Sequence, residues 1–171
     1  MSTSAYTARE QLHNGRLIEI RALRPSDENG MLDALDQTNA ESLRRRFFVT
    51  KRAFSDTEKA FFMNVDFVKH VALVAEIEEA GRRSIVGGGR YIVTAPGEAE
   101  IAFVVIDAYQ GQGIGTILLR DLAHIARNAG VQKLSADVLP ENAAMRKVFS
   151  KFGFEPRRSA DPQVLHLVLA L

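Results

Sequence analysis

Gly111, Gly113 and Gly115 alternate with Gln112 and Ile114 in the run QGQGIG at 110–115, the most informative stretch of the 171-residue chain. Ahead of it runs AEIAFVVI at 99–106, strand-like, with a short polar joint at Asp107 and Ala108. Behind it Ile114, Ile117, Leu118, Leu122 and Ile125 recur at helical spacing up to a stop at Gly130. Strand, glycine turn and helix in that order expose a row of backbone N–H groups. These have no partner inside the helix, and the helix dipole adds partial positive charge there. A phosphate or diphosphate fits such a row, and glycine lets it approach bare backbone. The chemistry implied is the binding of a phosphorylated cofactor.

Spacing separates this loop from two other phosphate binders. A mononucleotide loop needs G-x-x-x-x-G-K-[ST], whereas Gly115 is followed by Thr116 with no lysine. A dinucleotide fingerprint needs G-x-G-x-x-G, and here the third glycine falls one position early. The chain has no cysteine, which removes disulfides, thiolate zinc sites and any acyl-cysteine intermediate. No G-x-S-x-G elbow supplies a serine in its place. His13, His70, His124 and His166 are scattered without ligand spacing, so no metal site is expected.

The elements that must position the loop follow from periodicity. LIEIRAL at 17–23 alternates and reads as a first strand, after a polar tail over 1–15; residues 16–171 read as one domain. Pro25, Ser26 and Asp27 open a helix with Met31, Leu32 and Leu35 on one side; Asp27 and Glu28 suit its positive end. A second helix is expected over 41–48 and a third after Ser55 and Asp56. Strands at 70–77 and 84–93 are joined by a turn at Ala80 and Gly81, and Gly97 turns the chain into the strand before the loop. After the long helix come a strand at 133–139, a helix at 141–152 and a last strand near 164–169. The fold class is α/β (α+β), with a mixed, mostly antiparallel sheet of six to seven strands, helices on both faces and one parallel crossover at the glycine loop.

Composition limits the partners. A net charge of +1 lacks the basic excess of a nucleic-acid binder, and 46% hydrophobic with 25% charged residues is ordinary for a globular protein. No apolar run approaches the roughly 18 residues of a membrane span, and the N-terminal residues lack the apolar core of a signal peptide. Neither nucleic acid nor membrane is expected as a partner, and the cytoplasm is the expected compartment. Oligomeric state is not indicated.

The segment from 100 to 154, EIAFVVIDAYQGQGIGTILL followed by ENAAMRKVFSKFGFE, resembles the GNAT superfamily of N-acetyltransferases. QGQGIG fits that family's Q/R-x-x-G-x-G/A motif, and Asn142 with Phe152-Gly153-Phe154 fits its later motif. Upstream, AESLRRRFF, VALVAE and IVGGGRY resemble the GNAT domain of bacterial Pat-type protein lysine acetyltransferases. The resemblance implies acetyl-CoA as cosubstrate. Gln110 opens the motif, and the backbone amides of Gly111, Gln112, Gly113, Ile114, Gly115 and Thr116 would hold the diphosphate. Val104, Val105 and Ile106 would pair with the pantetheine arm like a further strand, and Asn142 would hydrogen-bond it. The Val105 N–H is the expected donor to the thioester carbonyl.

An amine acceptor with a pKa of about 10.4 is neutral in roughly one molecule in 2,500 near pH 7, so a base is needed. Glu100 is the only acid within AEIAFVVI, on the side of Ala102 and Val104. The family's glutamate in an E-I/F-x-F/A strand is the general base, and EIAF matches it; Asp107 is the second choice. Phe149 occupies the place where many relatives carry a tyrosine acid. A thiolate with a pKa near 8.5 leaves tolerably without one, and neither Tyr91 nor Tyr109 is assigned that role. Phe47, Phe48, Phe61 and Phe62 are expected in the core, and Arg44, Arg45 and Arg46 on a solvated face. Lys147 and Lys151 are candidates for phosphate contact, and Gly87, Gly88 and Gly89 for a bulge or close backbone approach. The expected reaction is acetyl transfer to a primary amine by direct attack in a ternary complex. Protein lysine leads, with a small amine or a non-catalytic acyl-CoA sensor as alternatives.

Overall fold

A computed structural model describes residues 2–36 and 56–171. The helix expected over 41–48, with Arg44, Arg45, Arg46, Phe47 and Phe48, lies outside them, as does Ser55. The described elements run β1 (Thr7–Gln11), β2 (Leu17–Ala22), α1 (Glu28–Asp36), α2 (Asp56–Met63), β3 (His70–Glu79), β4 (Arg82–Ala95) and β5 (Glu98–Val105). There follow α3 (Ile114–Asn128), β6 (Lys133–Val138), α4 (Ala143–Phe152), β7 (Glu155–Arg157) and β8 (Leu165–Ala170). The strands form one sheet in the order β1-β2-β3-β4-β5-β6-β8-β7. Every pairing is antiparallel except β5 with β6.

The sheet has eight strands rather than six to seven because both edges gain a short one. Thr7–Gln11, expected as part of a polar tail, pairs with β2 from Thr7↔Arg21 to Gln11↔Leu17. Its residues alternate between exposed and half-buried, as befits an edge strand whose one apolar residue is Ala8. At the other edge β7 pairs with β8 over three residues.

Alternation along β5 divides the core. Ala99, Ile101, Phe103 and Val105 are buried on the face covered by α3, whose Leu118, Leu119, Leu122 and Ala126 are also buried. Glu100, Ala102 and Val104 point to the opposite face, where α1 contacts β4. The glycines of β4 let helix and sheet approach closely. A methyl group on Gly89 would come 2.8 Å from Leu122 Cδ1 and 3.0 Å from Phe103 Cβ, and one on Gly87 would meet the Val104 carbonyl at 3.0 Å. A bulge also shifts the β3–β4 register between Ala75 and Glu76. Phe62 is buried, but Phe61 is not in the core as expected. It is 50% exposed and stacks on His70 with 5.3 Å between ring centres.

Where α1 begins, Asp27 is buried and accepts two 2.8 Å hydrogen bonds from the Arg21 guanidinium and one from the Arg24 N–H at 2.7 Å. Burial pushes its pKa up, yet the Arg21 and Arg24 hydrogen bonds outweigh that and hold it below the usual carboxylate range. Glu76 meets the same guanidinium at 2.9 Å. No described helix is long and apolar enough to cross a membrane.

Candidate functional site

The site is made by two strands that part. β5 and β6 are paired only from Glu98↔Lys133 to Glu100↔Ser135. Beyond that point β5 continues to Val105 and β6 to Val138, each keeping its other neighbour but not the other. A cavity of about 360 Å³ occupies the divergence, lined by residues 101–105 of β5, Asp137 and Val138 of β6, and Asn142, Met145, Val148 and Phe149 around α4. The Ile106 N–H donates to the Val86 carbonyl at 2.9 Å. Alternation in an antiparallel ladder therefore turns the backbone of Val104 toward β4 and that of Phe103 and Val105 toward the parted edge. The Val105 carbonyl already accepts a 3.0 Å bond from Gln110 Nε2 on that side.

The glycine loop closes one end. Gly111 and Gly113 have φ of 79° and 98°, a left-handed conformation open to glycine at little cost. Gly113 is the N-cap of α3. No side chain caps that helix and its first turn holds no acid, so the orphan N–H groups at its start keep their positive field. Gly115 has a packing reason as well, since a methyl group there would lie 3.1 Å from the Phe103 ring. Gln110 bonds the Val105 carbonyl and, at 3.2 Å, Asp107 Oδ1, and so ties loop to strand.

Of the residues singled out in the sequence, Val104, Val105, Gln110, Gly111, Gly113, Ile114, Gly115, Thr116 and Asn142 line the cavity together, as does Lys147. Ile106 and Gln112 do not line it, nor does Lys151. Ile106 is buried, and Gln112 turns its carbonyl and side chain to the β1–β2 turn. Asn142 has two roles visible at once, because its side chain caps α4 by accepting from the Met145 N–H at 3.3 Å. Phe149 is 2% exposed and packs against Phe103 and Phe154. Tyr91 is buried on the α3 face, where burial raises the pKa of its phenol. Tyr109 lines the cavity beneath the Arg16 guanidinium, 5.5 Å from the ring centre.

Glu100 is exposed and is the last β5 residue paired with β6, so it stands at the fork rather than in the cavity wall. Ala102 and Val104, on its face, line both the large cavity and a smaller one of about 50 Å³ beneath α1. Arg90, register partner of Ala102, lines that smaller cavity, reaching the Phe62 carbonyl at 3.1 Å and His70 Nε2 at 2.9 Å. The guanidinium must donate, so this ring nitrogen is the acceptor.

Sequence reasoning missed two polar residues of the cavity. His13 comes from the β1–β2 turn, and Asp137 from β6, where it meets His166 Nδ1 at 2.8 Å. Neither carries a local motif. Among the described residues no group of three or more His, Cys, Asp or Glu could hold a metal ion.

A mixed sheet with a V-shaped parting beside an uncapped glycine-rich helix start defines an acyl-CoA-dependent transferase, and the chain belongs to the acetyltransferase (GNAT) family, which residues 36–154 match. It is an acetyl-CoA-dependent N-acetyltransferase. The chain is 30% identical over 160 residues to the acetyltransferase PA5475 of Pseudomonas aeruginosa, covering 92% of this chain and 86% of that one. It is 31% identical over 145 residues to acetyltransferase Pat of Mycolicibacterium smegmatis, covering 84% of this chain but 43% of Pat. The chain thus spans under half the length of that relative. In structure it is similar to the GNAT domain of S. lividans PAT, with a TM-score of 0.89 and 32% identity over 96% of this chain and 97% of that one.

The residues present fit acetyl-CoA. Left-handed glycines and unpaired amides suit a diphosphate, and a free strand edge beside an apolar cavity suits an extended amide-bearing arm.

Proposed function

We propose that the chain acetylates primary amines, with protein lysine side chains as the leading acceptor and Glu100 as the general base. The parting of β5 from β6 immediately after Glu100↔Ser135 carries the reading, because it leaves a strand edge unpaired between a glycine loop and a carboxylate. In this reading the loop N–H groups from Gly111 to Thr116 hold the diphosphate, and the edge at Phe103 and Val105, rather than the whole run 104–106 that the resemblance implied, orients the arm with Asn142. When bound, acetyl-CoA supplies an acetyl group activated as a thioester.

The Val105 N–H would donate to the acetyl carbonyl oxygen as negative charge builds there, without needing to reorient. Glu100, on the α1 face at the fork, takes the proton of the acceptor ammonium, directly or through one water, so that the neutral amine attacks. Phe149 has no proton to give, so the thiolate released as the C–S bond breaks would depart unprotonated, and the second proton of the attacking nitrogen would pass to water. Water is limited on the α3 side by Phe103 and Phe149, both buried. Likeness to Pat of M. smegmatis and to the GNAT domain of S. lividans PAT supports a protein acceptor.

The test is incubation of the purified protein with isotope-labelled acetyl-CoA and either a cell lysate or an amine library, read by mass spectrometry. Label on lysine side chains at a kcat/KM above that for every small amine supports the reading. Label confined to a small amine overturns the lysine part and leaves the acetyltransferase.

A further inference from the structure

The turn joining β1 to β2 belongs to the glycine loop as much as to the sheet. Leu12 N–H donates to the Arg16 carbonyl at 2.8 Å and Gly15 N–H to the Leu12 carbonyl at 2.9 Å, closing the turn. It is fastened to the loop at two points: His13 N–H donates to the Gln112 carbonyl at 3.3 Å, and Asn14 Nδ2 to Gln112 Oε1 at 3.2 Å. The His13 ring then stands directly over the N-cap of α3. A methyl group on Gly113 would lie 2.9 Å from His13 Nε2 and 3.2 Å from Cε1. His13 is exposed and lines the large cavity beside Gly111, Gly113 and Thr116.

The hairpin is not free to swing away. Arg120 of α3 pairs with Glu10 of β1 and with the buried Asp121 of its own helix, and the Tyr6 phenol lies close enough to Asp121 to feel its charge. Arg16 pairs with Glu79 and covers the Tyr109 ring. The cations and acids packed around the turn are thereby engaged with one another. Among the described residues lining the cavity, His13 and Lys147 are the basic ones and Asp137 the acid, and Asp137 belongs to the far strand β6.

We infer that His13 is a cofactor-binding residue that donates from its ring to the diphosphate of acetyl-CoA, the β1–β2 turn acting as the second wall of the diphosphate site. The inference rests on the placement of acetyl-CoA proposed above. Backbone amides approach the diphosphate from the helix side, and a ring N–H held over Gly113 meets it from the other. A ring donor to an anionic oxygen is a charge-assisted bond, stronger than a neutral one and weakened here by exposure to solvent.

Titration calorimetry with CoA, on the wild type, His13→Ala and Gly111→Asp, tests this. Gly111 is left-handed with nothing within 4 Å of an added Cβ, and aspartate tolerates that conformation, so Gly111→Asp brings a carboxylate to the loop without crowding. The expected result is that His13→Ala weakens CoA binding about tenfold, and Gly111→Asp about a hundredfold. In kinetics, the preference of His13→Ala for acetyl-CoA over S-acetylpantetheine, which lacks the diphosphate, falls about tenfold as a ratio of kcat/KM. If Gly111→Asp weakens binding while His13→Ala leaves it equal or tighter, the role of His13 is overturned and the cofactor placement stands. Equal losses with both thioesters also overturn it, since the turn would then only prop the loop. If neither variant changes CoA affinity, the cofactor placement itself fails.

Discussion

Glu100 occupies the one position in β5 that is both the end of the parallel pairing and on the α1 face, which is where the proposed reaction puts its base. Glu100→Gln keeps the shape and removes the carboxylate. Its expected effect is a loss of kcat of roughly 10²–10⁴-fold with CoA affinity near wild type, read by steady-state kinetics alongside calorimetry. Full turnover at neutral pH would place the base elsewhere. EIAF and QGQGIG were readable because each motif is contiguous and its chemistry is local: an acid in a strand, glycines before a helix. His13 was not readable, since its neighbour across the loop is a hundred positions away and its own segment shows no periodicity. Asp137 was hidden for a related reason, because its contact with His166 exists only once β6 and β8 are paired.

At the scale of elements, two packing devices decide whether the site is held open. The first is the closeness of α3 to β4. Gly89→Ala would drive a methyl group to within 2.8 Å of Leu122 and 3.0 Å of Phe103, both buried. Overpacking of this kind costs about 1–3 kcal/mol, which a thermal melt should register as a fall in Tm of roughly 2–4 °C per kcal/mol for a chain of this size. An unchanged Tm would mean that α3 shifts at no cost. The three glycines were legible in the sequence as a close approach, but not what approached, because the crossing of a helix over a strand leaves no local signal.

The second device is the anchoring of α1 to β2 by Asp27 and Arg21. Asp27→Asn removes one of the two carboxylates on the buried Arg21 guanidinium, Glu76 remaining at 2.9 Å, and should cost about 1–3 kcal/mol in denaturant unfolding at pH 7. The Asp27 carboxyl is held below its usual range when folded. Its stabilising contribution is therefore complete above the unfolded value near pH 3.9 and is lost as pH falls through the lower folded value. The gap between wild type and variant should stay constant above about pH 5 and narrow in stronger acid. A gap that persisted unchanged down to pH 2 would contradict the assignment. In the sequence Asp27 reads only as an acid at a helix start; its pairing with Arg21 depends on the turn at Pro25 folding it back.

For the whole molecule, the parting of the sheet is a weakness as well as a site. Five strands on one side and three on the other are joined between β5 and β6 by three register pairs, Glu98 to Glu100 with Lys133 to Ser135. An arm bonded to the edge at Phe103 and Val105 and capped by Asn142 would span that gap like an added strand, so binding should stiffen the two halves against each other. Ligand at a hundred times its Kd adds about 2.7 kcal/mol to stability, a rise in Tm of about 5–10 °C for a chain of this length. The location of the effect matters more than its size. Hydrogen exchange should slow with CoA at the amides of Phe103 and Val105, which face the parted edge, and in β6 and β8, while β2 and β3 stay as they were. Slowing confined to the glycine loop would show that the diphosphate is held but the arm does not bridge the strands. With CoA at ten times the wild-type Kd, Gly111→Asp is the matched control, being only about one-tenth occupied at a hundredfold weaker affinity, and full protection of its Val105 amide would break the link between loop and cleft.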